Sequence, residues 1–101
     1  NLSYADLSYT DLSNSNLIGA DLSNSRIYKS NLINANLSYT DLIDADLIYS
    51  DLKGTNLEYA NLSGANLTGS NLEKSSLIGT NLNKVILCKT IMPWGKDNSG
   101  C

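Results

Sequence analysis

A strict five-residue period dominates this chain. Leucine, replaced once by Ile27, stands at every fifth position from Leu2 to Leu87, and the series ends at Met92. Two positions before each of these residues the side chain is small, and the residue between them is nearly always Asn or Asp. A fixed internal period indicates a stack of identical small units rather than a globule around one closed core.

A period of five fits neither a helix nor a regular strand. Apolar residues recur about every 3.6 positions in a helix and every second position in a strand. Each repeat is therefore predicted to contain a short extended piece and a turn, with the Leu and the small residue facing inward. Asn and Asp bond to nearby backbone in turns, and Gly permits tight corners. Glycines occupy the second variable position at Gly19, Gly54, Gly64, Gly69 and Gly79.

These repeats resemble the pentapeptide-repeat family, whose pattern is A(D/N)LXX, over residues 1–92. The resemblance implies an all-β fold, namely a right-handed quadrilateral β-helix of about four and a half coils with four repeats per coil. The period alone does not distinguish three repeats per coil from four. With four, residues twenty apart stack, and hydroxyl side chains form one inward column, Thr10, Ser30, Ser50, Ser70 and Thr90.

The last residues break the pattern, because apolar content rises where the repeats stop. We therefore divide the chain into a repeat domain, residues 1–92, and a C-terminal capping tail, residues 93–101. Met92, Pro93 and Trp94 are predicted to close the open end of the Leu core. The alternative is that Trp94 stacks on a ligand. The tail also resembles the Leu-Cys-x-Thr-x-Met-Pro ending, with a terminal Cys, of many cyanobacterial pentapeptide-repeat proteins.

Cys88 and Cys101 are the only cysteines, and they allow three interpretations: a disulfide, two free thiols or half of a metal site. Without His, a structural zinc site would need ligands from another chain. We predict the disulfide, which would close a loop of about fourteen residues and contribute about 3 kcal/mol. Bonded cysteines indicate an oxidising compartment such as periplasm or thylakoid lumen, whereas free thiols indicate a cytoplasmic location.

Catalysis is not expected. The chain has no His, so it has no Ser-His or Cys-His nucleophile, and it contains no phosphate-binding glycine motif. Asp41, Asp44 and Asp46 lie close in sequence, and Asp21 would stack under Asp41. Such carboxylates form either an acid/base pair or weak Ca²⁺ site, or ordinary repeat positions on a solvated wall. We favour the solvated wall and predict no enzyme activity, cofactor or metal site.

Charge is unevenly distributed along the chain. Residues 1–60 carry a net charge of −5 and residues 61–101 carry +2, which sum to the overall −3. This balance argues against direct nucleic-acid binding. No apolar run is long enough to span a membrane. The sequence starts in mid-register at Asn1 without Met, so we expect that an upstream segment has been removed.

Two cross-coil ion pairs follow from four repeats per coil. Arg26 would lie between Asp6 and Asp46, and Lys53 would lie under Glu73. Exposed pairs of this kind contribute at most about 1 kcal/mol each.

All six tyrosines occupy variable, outward positions. Tyr39 and Tyr59 are predicted to stack on one wall, and Tyr9 and Tyr49 to flank Lys29 on another. Exposed aromatic residues can mark a partner surface, but stacked cross-strand aromatics also stabilise a sheet by about 0.2 to 1 kcal/mol per pair. We predict a partner surface formed by Tyr39, Glu58 and Tyr59, with bracing of the rod as the alternative.

Two functions are compatible with these features. The first is a non-catalytic structural or protein-interaction module with an unknown protein partner, as a monomer or an end-to-end dimer. The second is DNA mimicry, because some members of the resembled family present an acidic rod to DNA gyrase and confer quinolone resistance. The absence of Phe and a net charge of only −3 favour the first function.

Overall fold

The chain winds into a four-sided solenoid. The computed structural model describes all 101 residues, Asn1–Cys101. Each residue at the Asn/Asp position forms a parallel bridge with the residue twenty positions later, from Asp6 with Arg26 to Asn71 with Ile91. Twenty residues therefore make one coil of four repeats. The three-repeat coil that the period alone left open does not occur.

Four walls form the sides of this rod, each consisting of a short extended piece and the turn that follows it. Wall 1 comprises residues 5–9, 25–29, 45–49, 65–69 and 85–89; wall 2 comprises 10–14, 30–34, 50–54, 70–74 and 90–94; wall 3 comprises 15–19, 35–39, 55–59 and 75–79; wall 4 comprises 1–4, 20–24, 40–44, 60–64 and 80–84.

The turns depend on one backbone conformation. The second variable residue of every repeat, from Tyr4 to Lys89, is left-handed, with φ between 53° and 73°. Most turns also contain a bond from the next small residue to the Leu carbonyl, as from Ala5 N–H to Leu2 O at 3.1 Å. A left-handed third residue with this bond is typical of the type II turn.

The conserved geometry of each extended piece comes from the Asn or Asp side chain. At every such position Oδ1 accepts the backbone N–H two residues later, as in Asn36 from Ser38 at 3.1 Å and Asp41 from Ile43 at 3.0 Å. The amide and the carboxylate make the same bond. This bond therefore needs an oxygen acceptor but does not need a charge.

The inward Leu column forms the core. From Leu22 to Leu72 every member, including Ile27, is fully buried, as is Met92, whereas the members nearer the two ends are partly exposed. All buried side-chain polar atoms but one have a hydrogen-bond partner, and the exception is Ser8 Oγ.

Inward hydroxyls join successive coils in wall 2. Ser30 Oγ donates to Leu7 O at 2.6 Å and accepts the Thr10 N–H at 3.3 Å. Ser30 Oγ thus lies between the Thr10 N–H and the Leu7 carbonyl. In most other turns, the equivalent N–H and carbonyl bond directly to each other. Ser50 repeats this arrangement with Ile27 and Ser30. Of the stacked hydroxyls predicted from the sequence, Ser30, Ser50 and Thr90 therefore link successive coils.

Two regular strands close the chain. Strand β1, Thr90–Met92, continues wall 2, and strand β2, Gly95–Asp97, pairs with it in antiparallel register. Ile91 bonds downward to Ser70 and Leu72. Strand β2 therefore occupies the upper edge of wall 2, where an antiparallel partner ends the parallel ladder.

Replacing Ser30 with Ala should lower the free energy of unfolding by about 1 to 3 kcal/mol, because the partly buried Thr10 N–H and Leu7 carbonyl lose their shared partner. Ser63→Ala is the matched control, since that hydroxyl is partly exposed and makes no bond within the protein; its effect should stay within about 0.5 kcal/mol. Chemical denaturation of both variants measures the difference. Equal midpoints would contradict the linking role of Ser30.

Candidate interaction surface

Wall 3 differs from the other walls in its charge. Walls 1 and 2 each carry five charged residues and wall 4 carries four, whereas Glu58 is the only charged residue of wall 3. Its middle outward column is Asn16, Asn36, Asn56 and Ser76. Wall 3 is therefore a nearly neutral side on an otherwise charged rod.

Tyr39 and Tyr59 form a stacked pair at the turn of wall 3. Their ring centroids lie 5.2 Å apart with an interplanar angle of 18°, and the residues are 63% and 53% exposed. Both have φ of 60°, a left-handed conformation that costs a non-glycine residue about 1 to 2 kcal/mol. The predicted stacking is confirmed. Local backbone preference does not favour tyrosine here, and the ring contact offsets part of that cost.

A glycine above the pair completes the stack. A Cβ atom added to Gly79 would lie 2.6 Å from the Tyr59 ring, so this ring lies directly against the glycine backbone. Gly69 accommodates Tyr49 on wall 1 in the same way, at 2.4 Å. These glycines therefore provide the space into which the last ring of each column leans.

Exposed apolar side chains on wall 3 extend beyond the predicted Tyr39, Glu58 and Tyr59. Ile18 and Ile78 occupy the same column as Glu58, one coil beyond the tyrosines at either end, and they are 52% and 62% exposed. Stacking at twenty-residue spacing was the signal that could have identified both. Glu58 Oε2 accepts the Ser76 hydroxyl at 2.9 Å, which holds the carboxylate along the wall. We call these five residues the wall-3 surface.

Wall 1 carries a second aromatic cluster. The sequence predicted its members Tyr9, Lys29 and Tyr49 but not Tyr28. Lys29 Nζ lies 5.9 Å from the Tyr49 ring, as the predicted column requires, and 5.3 Å from Tyr28. Tyr28 also makes edge contacts with Tyr9 and Tyr49 at 5.7 and 6.3 Å. Its position beside Lys29 in sequence was the available signal. Here the cations already occupy the ring faces.

Only one of the two expected ion pairs forms. Lys53 Nζ lies 4.0 Å from Glu73 Oε1, and both side chains are about half exposed. Arg26 does stack between Asp6 and Asp46, but its guanidinium lies 5.1 Å from the centroid of the Tyr28 ring. The expected contact of Arg26 with these carboxylates does not form, because no guanidinium nitrogen lies within salt-bridge distance of either one.

The acidic residues do not form one cluster. Asp41 and Asp46 lie on adjacent walls, and Asp21 bridges Asp41 in the ladder. The hydroxyl and the backbone N–H of Ser23 bond Asp21 at 2.7 and 3.1 Å and lower the pKa of its carboxyl. No group of three or more His, Cys, Asp or Glu side chains lies close enough to hold a metal ion, and no pocket is present.

The C-terminal tail folds back on wall 1. The sulfur atoms of Cys88 and Cys101 lie 2.00 Å apart, at disulfide distance, and Gly100 N–H donates to Leu87 O at 2.7 Å. Among the residues predicted to close the end, Met92 is fully buried at an inward position, whereas Pro93 is exposed and Trp94 is 67% exposed.

The four-sided coil and its repeat match a known family. The sequence fits the family profile described as pentapeptide repeats (8 copies) over residues 1–32, 29–58 and 55–92. The chain belongs to the pentapeptide-repeat family. Its fold is the right-handed quadrilateral β-helix of that family. Comparison with curated proteins finds no match.

Three cyanobacterial pentapeptide-repeat structures are similar to this chain. Alr5209 from Nostoc PCC 7120 has a TM-score of 0.76 and 28% identity over 93% of this chain and 75% of its own. Rfr23 from Cyanothece 51142 has a TM-score of 0.60 and 43% identity over 80% and 58%. HetL from Nostoc sp. PCC 7120, a protein involved in heterocyst differentiation regulation, has a TM-score of 0.51 and 37% identity over 93% and 47%.

The chain thus spans about half the length of HetL and of Rfr23. QnrB1, a plasmid-mediated fluoroquinolone resistance protein, is similar with a TM-score of 0.62 and 19% identity over 95% of this chain and 56% of its own. At that identity the likeness shows the fold alone. The structure contains no helix with the length and apolarity needed to cross a membrane.

Thiol labelling of the denatured protein under non-reducing conditions should find no free cysteine, because the tail folds back on the last coil and pairs Cys101 with Cys88. After reduction, two thiols per chain should label. Two labelled thiols in material prepared without reductant would contradict the disulfide and remove the argument for an oxidising compartment.

Gly79→Ala should destabilise the protein more than Gly19→Ala, although both glycines have nearly the same φ, +67° and +69°. Both variants suffer the backbone cost of a left-handed Ala, but nothing lies within 4 Å of a Cβ at Gly19. Gly79→Ala should lower the free energy of unfolding by about 1 kcal/mol more than Gly19→Ala, because the added methyl group displaces the Tyr59 ring from its stacked position on Tyr39. Thermal unfolding measures it, and equal losses would show that Tyr59 moves freely.

Proposed function

We propose that this chain is a non-catalytic protein-interaction module that binds its partner through the wall-3 surface. The observation that carries the proposal is the combination of exposed aromatic and aliphatic side chains with a single charge, Glu58. Interface cores are poor in charge and rich in aromatic residues, and aromatic anchors dominate binding energy.

Most inward hydroxyls, and the Asn and Asp side chains between the small residue and the Leu of each repeat, support a non-catalytic role because they are engaged in the fold. Inward hydroxyls donate to backbone carbonyls, as Thr55 does to Leu52 O at 2.9 Å. The Asn and Asp side chains accept backbone N–H groups throughout the repeats. A hydroxyl held in such a bond without a neighbouring base is not an activated nucleophile.

DNA mimicry toward DNA gyrase is the second candidate, and the acidic excess of residues 1–60 favours it. An acidic rod could present its carboxylates in place of phosphates. The acidic column of wall 4 is short, however, because Asp21 and Asp41 are followed by Asn61 and Asn81. Residues 74–96 add four lysines and no acid, which opposes a continuous negative surface.

We also propose that residues 93–101 act as a cap and that the protein resides in an oxidising compartment, such as periplasm or thylakoid lumen. The pairing of β2 with β1 supports a cap over wall 2, and the contact of Gly100 with Leu87 supports one over wall 1. The pairing of Cys88 with Cys101 supports the oxidising location.

Replacing Tyr39 and Tyr59 together with Asn should abolish recovery of a protein partner from native extract. Asn keeps the left-handed backbone, which Asn14, Asn24 and Asn34 adopt at equivalent positions. Loss of an aromatic anchor worth about 2 kcal/mol weakens binding about 30-fold. The matched control is Tyr9→Asn/Tyr49→Asn, which removes two tyrosines from equivalent positions on wall 1.

Melting of both double variants controls for folding. Unchanged capture by a folded wall-3 variant, or equal loss in the wall-1 control, would reject the wall-3 surface. A gyrase supercoiling assay tests the second candidate in parallel. Inhibition at low protein concentration, retained by both tyrosine variants, would replace protein interaction with DNA mimicry.

A further inference from the structure

The two outward turn positions of wall 3 carry nearly the same series of residues from either end of the rod. From the N-terminal coil upward, this series is Ile18-Gly19, Ser38-Tyr39, Glu58-Tyr59 and Ile78-Gly79. When this series is reversed, each Ile takes the place of the other Ile and each Tyr the place of the other Tyr. The reversed series differs only where Ser38 and Glu58 exchange places. A pattern of this kind is self-complementary under a two-fold axis, as an isologous interface requires.

We propose that a second copy of this chain occupies the wall-3 surface, with the two rods antiparallel and their wall-3 sides in contact. The inference rests on the proposed function, since it uses the same surface and names the partner. A two-fold axis along the strand direction, between the second and third coils, places Tyr39 opposite the Tyr59 of the second copy. The same operation places Ile18 opposite Ile78.

Charge favours this occupant and this direction. The wall-3 surface contains no cation and one carboxylate, so it offers little to a strongly charged partner. In the antiparallel arrangement each Glu58 faces Ser38 of the second copy rather than the other Glu58. Ser38 is buried in its own chain and its hydroxyl donates to Asn36 Oδ1 at 2.8 Å, so the carboxylate meets a small neutral site.

The size of the surface predicts a weak association. Four stacked layers are about 19 Å tall, including the side chains of the outer layers, and the narrowest extent of the molecule is 22 Å. Two copies would therefore bury roughly 800 Å² in total, below the roughly 1,200 Å² of standard stable complexes. The net charge of −3 on each copy also opposes association. Added salt should therefore strengthen the dimer by screening this repulsion.

Sedimentation of the intact protein should show a mean mass that rises from the 10.9 kDa monomer toward twice that value as concentration increases, more steeply at higher salt. Tyr39→Asn/Tyr59→Asn should remain monomeric, while Tyr9→Asn/Tyr49→Asn should associate like the unmodified protein. A constant monomer mass at all concentrations would overturn the second-copy proposal. Wall-3-dependent capture of another protein would in that case leave the proposed function standing.

Cross-linking tests the direction of the two rods. Ile18→Cys and Ile78→Cys proteins, mixed and treated with a bis-maleimide shorter than three layers of the rod, about 14 Å, should form a covalent heterodimer. Each variant alone should not cross-link, because its two introduced thiols would lie three layers apart. Cross-linking of Ile18→Cys alone would overturn the antiparallel arrangement, and a dimer that fails to cross-link in the mixture would place the contact elsewhere.

Discussion

The left-handed residue in every turn is the constraint on which the rest of this molecule depends. It redirects the chain after each extended piece, so that four pieces return the backbone to a point one layer higher. Each Leu then meets the Leu twenty positions later, and the column between Leu22 and Leu72 is sealed from water. Without that turn, the leucines and the small residues would not point in one common inward direction, and they would not pack against each other.

The turn also separates structural positions from variable ones. The inward Leu and small residues build the core, and the Asn or Asp acceptor holds the strand. Because an amide and a carboxylate make the same bond, the charge at this position is free to vary without loss of the fold. Residue choice at the two outward turn positions is similarly free, within the limit that the second of them is left-handed. Surface character is therefore where members of such a fold can differ in function.

On wall 3, the free choice of outward residues has a cost in backbone conformation. Tyr39 and Tyr59 adopt a backbone conformation that Gly or Asn would adopt more readily, yet they stack and remain more than half exposed. Gly79 supplies the space that the upper ring needs. On wall 1, by contrast, Lys29 and Arg26 cover the rings of their cluster. The aromatic faces of wall 3 have no such intramolecular cation, which is why the proposed contact is assigned to that side.

The sequence by itself determined the repeating unit, the inward Leu column, the turn in each repeat and, through its resemblance to a family, the coil of four repeats. The first three follow from the local period, because each turn involves only five neighbouring residues. The sequence also predicted that Tyr39 and Tyr59 stack, since two rings spaced by one coil lie one above the other. Only the tertiary structure decided that Arg26 turns to an aromatic face and that Trp94 stays exposed. Those outcomes depend on the direction in which each side chain leans across layers, and residues far apart in the chain set that direction.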